Sequence, residues 1–145
     1  MRTIEIIARG LLIQSDHLLV CDSTHQDYTY LPGGHVEFGE TLTQALQREW
    51  QEELGCQCHI SKFLNFFEEH FTDDRQQRHH EYNFLFLVQC EQLSLLLPLP
   101  HIETEVNFRW LAFDQISSAN LLPKAIASYV KNSGRHPNKN ALKPS

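Results

Sequence analysis

Cysteine, positive charge and long apolar runs are all scarce in this 145-residue chain. Its four cysteines include one close pair, Cys56 and Cys58, and no second pair that would complete a zinc site. We therefore expect free thiols, as in a reducing compartment. No apolar run approaches the ~20 residues that cross a bilayer, and the N-terminal segment lacks the apolar stretch of a secretory signal. These absences predict a cytoplasmic protein without a membrane segment.

Basic residues are in the minority, with 12 Lys and Arg against 18 Asp and Glu and a formal net charge of −6. A protein that coats a nucleic-acid polymer or binds an anionic membrane surface needs the opposite balance, so we expect neither partner. A small ligand that carries phosphate stays open, because a bound cation reverses the local field. The length suits one domain with a buried core.

The most informative stretch is a glycine-rich turn followed by a helix, at residues 33–56, which reads GGHVEFGETLTQALQREWQEELGC. Thr41 and Gln44 have the spacing of a capping box, which predicts that the helix begins there. Gly55 stands where a helix end favours a residue that tolerates positive φ. The residues between them contain no Gly or Pro, so a helix of about thirteen residues is predicted.

One face of this helix changes from apolar to acidic along its length. At 100° per residue, Glu49, Glu52 and Glu53 continue the face that begins with leucine and alanine. Carboxylates at such spacings repel one another unless a cation lies between them. Oxygen ligands favour a hard cation such as Mg²⁺ or Mn²⁺. For a bare acidic run, a solvated helix face is the alternative.

The whole stretch resembles the signature of the Nudix hydrolase family, Gx5Ex7REUxEExGU, in which U is a bulky apolar residue. Every fixed position is matched, by Gly34, Glu40, Arg48, Glu49, Glu52, Glu53 and Gly55. Trp50 and Cys56 occupy the U positions, where one is larger and the other smaller than the usual aliphatic residue. These departures affect packing more than chemistry.

The order of predicted elements agrees with the fold that the family implies, an αβα sandwich with a mixed β-sheet, of the α/β (α+β) class. Residue patterns predict strands at 3–14, 17–22, 35–38, 57–71, 80–90 and 106–113, and a closing helix at 122–131. Residues 72–79 are expected to form a charged loop, and His79 and His80 a solvated pair there. We expect one domain at 1–133 and a flexible tail at 134–145.

The resemblance also implies a reaction, because the family hydrolyses a nucleoside diphosphate linked to another group X by attack of water on phosphorus. It implies an enzyme that uses Mg²⁺, with Mn²⁺ as a substitute. Glu52 and Glu53 are then the first-choice metal ligands, and Glu49 is a ligand or the base that takes a proton from water. The Gly33 carbonyl is expected as a further ligand, since glycine lets the backbone approach closely.

Two more roles follow from the same resemblance. Glu40 and Arg48 are expected to form an ion pair that braces the loop on the helix. Arg48 is included in the catalytic set, although it projects off the glutamate face and suits bracing better than chemistry. The family often adds a carboxylate from outside the signature, and the candidates are Glu81, Glu103 and Glu105. We prefer Glu105, with an ordinary surface glutamate as the alternative for each.

The substrate is constrained mainly by what is missing. The marks that accompany hydrolysis of ADP-ribose, dinucleoside polyphosphates, NADH or coenzyme A in the family are absent, which leaves a MutT-like enzyme for nucleoside triphosphates or a broad nucleotide pyrophosphatase. ADP-ribose or another nucleotide sugar is the alternative, and a non-catalytic nucleotide-binding module is a further one. Tyr30, Phe67 and Phe71 are each open to stacking on a base or to core packing. The expected partner is a small nucleotide, and a homodimer stays open.

Overall fold

The computed structural model describes residues 2–24, 26–100, 102 and 106–135. Within those ranges the strands are β1 (Glu5–Leu11), β2 (Ile13–Gln14), β3 (His17–Asp22), β4 (Thr29–Tyr30), β5 (Gly33–His35), β6 (His59–Thr72), β7 (Arg78–Gln89), β8 (Asn107–Ala112) and β9 (Leu121–Leu122). The helices are α1 (Leu42–Leu54) and α2 (Lys124–Arg135), with a 3-10 turn at Phe113–Gln115. Glu103, Glu105 and residues 136–145, which hold most of the predicted tail, lie outside the described residues.

Four strands form the first sheet, in the order β5, β1, β7 and β6. β1 and β7 run parallel, with Glu5 opposite Glu81 and Leu11 opposite Leu87. β5 pairs antiparallel with β1, and β6 pairs antiparallel with β7 in a long hairpin. The sheet is therefore mixed, and β5 with its two glycines lies directly beside β1.

The second sheet is built around β3. β8 pairs antiparallel with β3 along its whole length, from His17 opposite Ala112 to Asp22 opposite Asn107. β2 and β4 also pair with β3, and β9 adds in parallel to β4. The predicted α+β class is confirmed, and the one mixed sheet that we expected is two mixed sheets.

Helix α1 forms where the capping pattern predicts it. The Thr41 side chain accepts a hydrogen bond from the Gln44 backbone N–H, and the Gln44 side chain accepts one from the Thr41 backbone N–H. Gly55 ends the helix in the left-handed region, with φ of 65°. Trp50 is fully buried and packs against Gly10 of β1. Local capping and this one large side chain together fix α1 on the first sheet.

The first sheet buries both of its faces. Neighbouring residues of β7 alternate, so that Phe86 joins the apolar cluster under α1 and Leu85 joins a second cluster on the opposite face. α2 adds Ile126 and Val130 to the second cluster, and it begins two residues later and ends four residues later than predicted. All four cysteines are buried and free, as expected. Of the helices described, none has the length and apolar character to cross a membrane.

The short strand predicted at 35–38 begins two residues earlier in the structure, where β5 covers Gly33–His35. The predicted position is therefore wrong. The chain turns directly afterwards, where the Glu40 backbone N–H donates to the Glu37 carbonyl at 3.0 Å. Phe38 is fully exposed at this turn. The alternation of apolar residues suggested a strand here, but no core receives the Phe38 ring.

The predicted loop at 72–79 is also shorter, since β6 and β7 leave only residues 73–77 between them. Asp73 closes this turn, because its Oδ1 accepts two backbone N–H groups of later turn residues, each at 2.9 Å. His79 and His80 therefore lie on β7. The expectation that they form a solvated loop pair is wrong.

Candidate active site

Two glycines of β5 let α1 lie close to the sheet edge. A Cβ atom at Gly34 would collide with the carboxylate of Glu49. Gly33 has φ of 151°, and a Cβ atom there would collide with the Ala8 carbonyl of β1. Gly33 therefore requires glycine. At Gly34 a side chain would displace the end of the Glu49 side chain, so the Glu49 carboxylate lies directly against the backbone of β5.

The pairing of β5 with β1 sets the direction of the Gly33 carbonyl. The Gly10 N–H donates to the Pro32 carbonyl and the Val36 N–H donates to the Ile6 carbonyl, both at 2.8 Å. Antiparallel strands alternate hydrogen-bonded and non-hydrogen-bonded pairs, so Gly33 belongs to a non-hydrogen-bonded pair. Its carbonyl points away from β1, as does the carbonyl of His35 two residues later. This is the orientation that a backbone metal ligand at Gly33 requires.

The three glutamates of α1 differ in environment. The Glu49 side chain is 16% exposed and the Glu52 side chain is 58% exposed. Burial raises the pKa of Glu53 to about 7, the Glu49 charge and a hydrogen bond between the two carboxyl groups act in the same direction, and Arg9 opposes the rise. Glu53 thus keeps its proton to near neutral pH beside the Glu49 carboxylate. A hard divalent cation fits this donor set, because it would supply the positive charge in place of the proton.

Arg48 contacts more of the site than the sequence suggests. It forms the expected ion pair with Glu40, through Nε to Oε2 at 2.7 Å and Nη2 to Oε1 at 3.0 Å. Its Nη2 also donates to the His35 carbonyl at 3.0 Å. Its Nη1 lies 3.0 Å from Glu49 Oε1 and 3.3 Å from Glu52 Oε2. The prediction that Arg48 stands apart from the glutamates is therefore wrong, since one guanidinium contacts both the loop and the acidic face.

A cleft of about 540 Å³ has Arg9 and Tyr30 among its lining residues, and none of the three glutamates of α1 lines it. Its lining combines aromatic rings, two cations and several acids, namely Tyr28, Tyr30, Phe71, Arg9, Lys124, Glu69, Asp73, Asp74 and Glu81. Burial raises the pKa of Tyr30 to about 12, and the charges of Cys21 and Glu53 add to the rise. Glu53 is thus near enough to act on the cleft wall. A larger groove, of about 890 Å³, contains Arg48 but none of the three glutamates.

Of the three aromatic residues considered for base stacking, one packs in the core and two line the cleft. Phe67 packs edge-on against Tyr129, with ring centroids 5.6 Å apart, in the cluster that α2 covers. Tyr30 and Phe71 line the cleft instead. Phe71 also stacks on His79, with centroids 4.7 Å apart. Two of the three rings therefore remain available to a ligand.

Two other groups of side chains, on the β6–β7 hairpin and the adjacent start of β1, could hold a cation. Glu68, His70 and His80 form one, and Glu5, His79 and Glu81 form the other, with ligand atoms within 4.8 Å of one another in each. Their histidines suit softer metals than an all-carboxylate set does. Glu81, a candidate for the additional carboxylate, belongs to the second group and also lines the cleft.

A family model, that of the NUDIX domain, matches residues 5–132. The chain belongs to the Nudix family. Nudix hydrolases act on nucleoside diphosphate derivatives and generally use a divalent metal. The resemblance read from the signature is confirmed.

Three similar proteins illustrate the range within this Nudix fold. Human 8-oxo-dGDP phosphatase NUDT18 is 33% identical over 63 residues, which are 41% of this chain and 20% of that protein. The match thus spans about a fifth of the human protein's length. A MutT protein from Bacillus halodurans is 19% identical, with 90% of this chain and 84% of that chain covered and a TM-score of 0.69. An ADP-ribose pyrophosphatase from Streptococcus suis is 14% identical, with 92% and 94% covered and a TM-score of 0.64.

Proposed function

We propose that the chain is a Mg²⁺-dependent pyrophosphohydrolase that cleaves nucleoside triphosphates, with Mn²⁺ able to replace Mg²⁺. The observation that carries this proposal is the acidic face of α1, where Glu49 lies against the glycines of β5. Glu53 of this face is within electrostatic range of Arg9 and Tyr30, which line a cleft with aromatic walls and two cations. Aromatic faces suit a nucleobase, and Arg and Lys suit phosphate groups. Carboxylates suit the metal ion that a polyanionic substrate needs.

The proposed roles follow the environment of each oxygen. Glu52, Glu53 and the Gly33 carbonyl hold the cation, and Glu49 is either a further ligand or the proton acceptor. When bound, the cation neutralises charge on the phosphate groups and acidifies water. In the absence of a cation, Glu53 keeps its proton to near neutral pH. If Glu49 is not a ligand, its carboxylate would accept the proton of the attacking water.

In this scheme the role of Arg48 is to position other groups of the site. Its hydrogen bonds to Glu40 and to the His35 carbonyl hold β5 against α1. Because Gly33 belongs to β5, these bonds also hold the Gly33 carbonyl in position. Its contact with Glu49 limits the rotamers of that carboxylate. Arg48 thereby keeps the ligands arranged for the reaction, which is the role of a supporting residue in a catalytic site.

A further carboxylate from outside the signature is also proposed. Glu105 is the first choice, on the resemblance alone. Glu81 is the alternative with a described position, because it lines the cleft and its Oε1 accepts a hydrogen bond from Asn83 at 3.2 Å. Glu105→Gln and Glu81→Gln separate the two, since only loss of a true ligand shifts the Mg²⁺ concentration that gives half-maximal rate.

A nucleotide sugar is the second candidate substrate. Four carboxylates line the cleft, and such groups accept hydrogen bonds from sugar hydroxyls. One similar solved protein is named an ADP-ribose pyrophosphatase. We place the protein in the cytoplasm, because its four cysteines are buried and free.

The test is a panel of nucleoside triphosphates, ADP-ribose and UDP-sugars, each assayed with Mg²⁺ for its products. We expect the highest kcat/KM for a nucleoside triphosphate. A higher kcat/KM for ADP-ribose would replace the first candidate by the second. If the protein binds nucleotides without turning over any of them, it is a non-catalytic binding module and the proposed function is wrong.

A further inference from the structure

Arg9 is a half-buried cation without an acidic partner. No carboxylate of the described residues lies within 4 Å of its guanidinium, whereas Arg48 contacts several and Arg109 pairs with Asp22 at 2.7 Å. A charge withdrawn from water is unfavourable unless an opposite charge or hydrogen bonds compensate for it. Arg9 lines the cleft of about 540 Å³. An anion that enters this cleft would supply the missing partner.

Neutral groups hold the Arg9 guanidinium in place. Its Nε donates to Asn83 Oδ1 at 3.3 Å, and its Nη1 donates to the Leu31 carbonyl at 3.1 Å. Its Cζ lies 5.5 Å from the centre of the Tyr30 ring. These contacts orient the group but leave its charge intact. With respect to the described residues, two of the five N–H donors of this arginine are used in this way, and three remain.

Asn83 fixes that orientation from inside the sheet. It is fully buried on β7, and most of the strand residues that follow it are apolar. Its Oδ1 accepts from Arg9, while its Nδ2 donates to Glu81 Oε1 at 3.2 Å. Because both ends of the amide are bonded, the carboxamide cannot flip without losing a partner. Asn83 therefore always presents an acceptor to Arg9.

Arg9 also lies within electrostatic range of Glu53. Its positive charge opposes the rise in the pKa of Glu53, which puts the guanidinium within electrostatic range of that carboxylate. Glu53 in turn acts on Tyr30, the residue whose ring lies under Arg9. The guanidinium therefore lines the cleft and lies within electrostatic range of one carboxylate of α1, that of Glu53.

We propose that Arg9 binds a phosphate group of the substrate through its free N–H donors, and that Asn83 is the positioning residue that aims it. The inference rests on the proposed function and adds a phosphate-binding residue outside the signature. Guanidinium groups bind phosphate oxygens with two parallel hydrogen bonds, which an ammonium group does not reproduce. Arg9 would thus contact the phosphate chain from the cleft side, opposite the carboxylates of α1.

The test measures binding of a non-hydrolysable nucleoside triphosphate analogue, with Mg²⁺ present, by calorimetry alongside kcat and KM for the natural nucleotide. We expect Arg9→Gln to weaken analogue binding at least tenfold and to raise KM by a similar factor, with a smaller change in kcat. Arg9→Lys should recover part of the affinity, because it restores the charge but not the two-point geometry. Arg75→Gln removes the same charge from an exposed turn, and its affinity for the analogue should stay within twofold of that of the wild type.

A second variant covers the case in which Arg9→Gln does not fold. Asn83→Asp keeps the size of the side chain but gives Arg9 a carboxylate partner, so analogue binding should weaken at least fivefold while Arg9 remains. Binding within twofold of the wild type in a folded Arg9→Gln or Asn83→Asp overturns this inference alone, provided that the wild type turns over nucleotides. A wild type that turns over none overturns the proposed function, and this inference with it.

Discussion

Arg48 and Glu40 form a two-point ion pair, with Nε 2.7 Å from Oε2 and Nη2 3.0 Å from Oε1. The hydrogen bond from Arg48 is the largest cause of the lowered pKa of Glu40. The same guanidinium donates to the His35 carbonyl and to Glu49. One side chain therefore links the signature loop, the edge of the sheet and the acidic face of the helix.

Arg48→Ala should lower both the melting temperature and kcat, because it frees the loop and leaves Glu40 and Glu49 without their cation. Arg48→Lys keeps the charge but loses the two-point geometry, so its loss should be intermediate. Arg75→Ala serves as the control and should change neither quantity. Thermal melts and one rate assay provide the measurement. If Arg48→Ala lowers kcat without any change in melting temperature, Arg48 acts on the substrate rather than by bracing.

Glu53→Gln should change stability with pH in samples without metal. The pKa of Glu53 is raised from 4.5 to about 7 in the folded protein, mainly by burial. When folding raises the pKa of an acid, ionisation of that acid destabilises the folded state. The destabilisation begins as pH rises above the unfolded-state pKa, grows with pH and levels off above the folded-state pKa. The variant should therefore gain melting temperature relative to the wild type as pH rises between 4.5 and about 7.

Saturating Mg²⁺ should reverse that order, because the wild type gains more stability from a ligand that it binds more tightly. Glu52→Gln is the matched control, since Glu52 is largely exposed. It should lose part of the Mg²⁺ response without the pH-dependent gain. An equal Mg²⁺ response in Glu53→Gln and wild type would remove Glu53 from the ligand set.

His79 should stabilise the fold most at mildly acidic pH. Its Nδ1 lies 2.8 Å from Glu5 Oε2 and its Nε2 lies 2.9 Å from Asp73 Oδ2. The hydrogen bond to Asp73, followed by the one to Glu5, raises the pKa of His79 above its usual 6.5. A base with a raised pKa stabilises the folded state fully below the unfolded pKa, and this contribution disappears as pH rises through the folded pKa.

His79→Gln should accordingly lower the melting temperature most at about pH 6 and progressively less toward about pH 9. His59→Gln, at an exposed position of β6, is the control and should show no such trend. Melting curves of the three proteins across this range provide the measurement. A difference between His79→Gln and wild type that stays constant over the range contradicts a protonated His79 bridge.

The boundary predicted for the tail, after residue 133, falls two residues before the end of α2. Helix α2 runs to Arg135, so a cut after residue 133 would remove part of a helix. We expect residues 136–145 to be dispensable, and a chain that ends at Arg135 to keep turnover within about twofold, or under ~0.5 kcal/mol of barrier. Turnover and melting of the shortened and full chains test this. A tenfold loss of turnover would show that the tail contacts the substrate or a second copy.

The parts that sequence predicts well are those that local chemistry decides. The capping box and Gly55 set both ends of α1 within a short stretch of chain. The β5 strand was misplaced because Phe38 fits an alternating pattern but meets no core. His79 was misplaced because the turn before it is closed by the side chain of Asp73, which composition does not reveal.

Arg9 and Asn83 were missed for a different reason. They lie 74 positions apart in the chain and meet only through the parallel register of β1 and β7. Each does leave a local signal, because Arg9 follows apolar residues in β1 and Asn83 directly precedes the apolar end of β7. That signal marks a buried polar residue, but its partner becomes known only from the register.

The central claim is that the acidic face of α1 holds the metal for pyrophosphate hydrolysis. The most direct test is product release from the preferred nucleotide by wild type and Glu52→Gln over a Mg²⁺ titration, starting from chelated protein. Mg²⁺ is the right probe, because the histidine groups on the hairpin favour softer metals. We predict no turnover without Mg²⁺, a saturable rise with it, and a loss on the order of 10²–10⁴ in kcat for Glu52→Gln. Turnover that survives chelation, or a Glu52→Gln rate equal to that of the wild type, would contradict the claim.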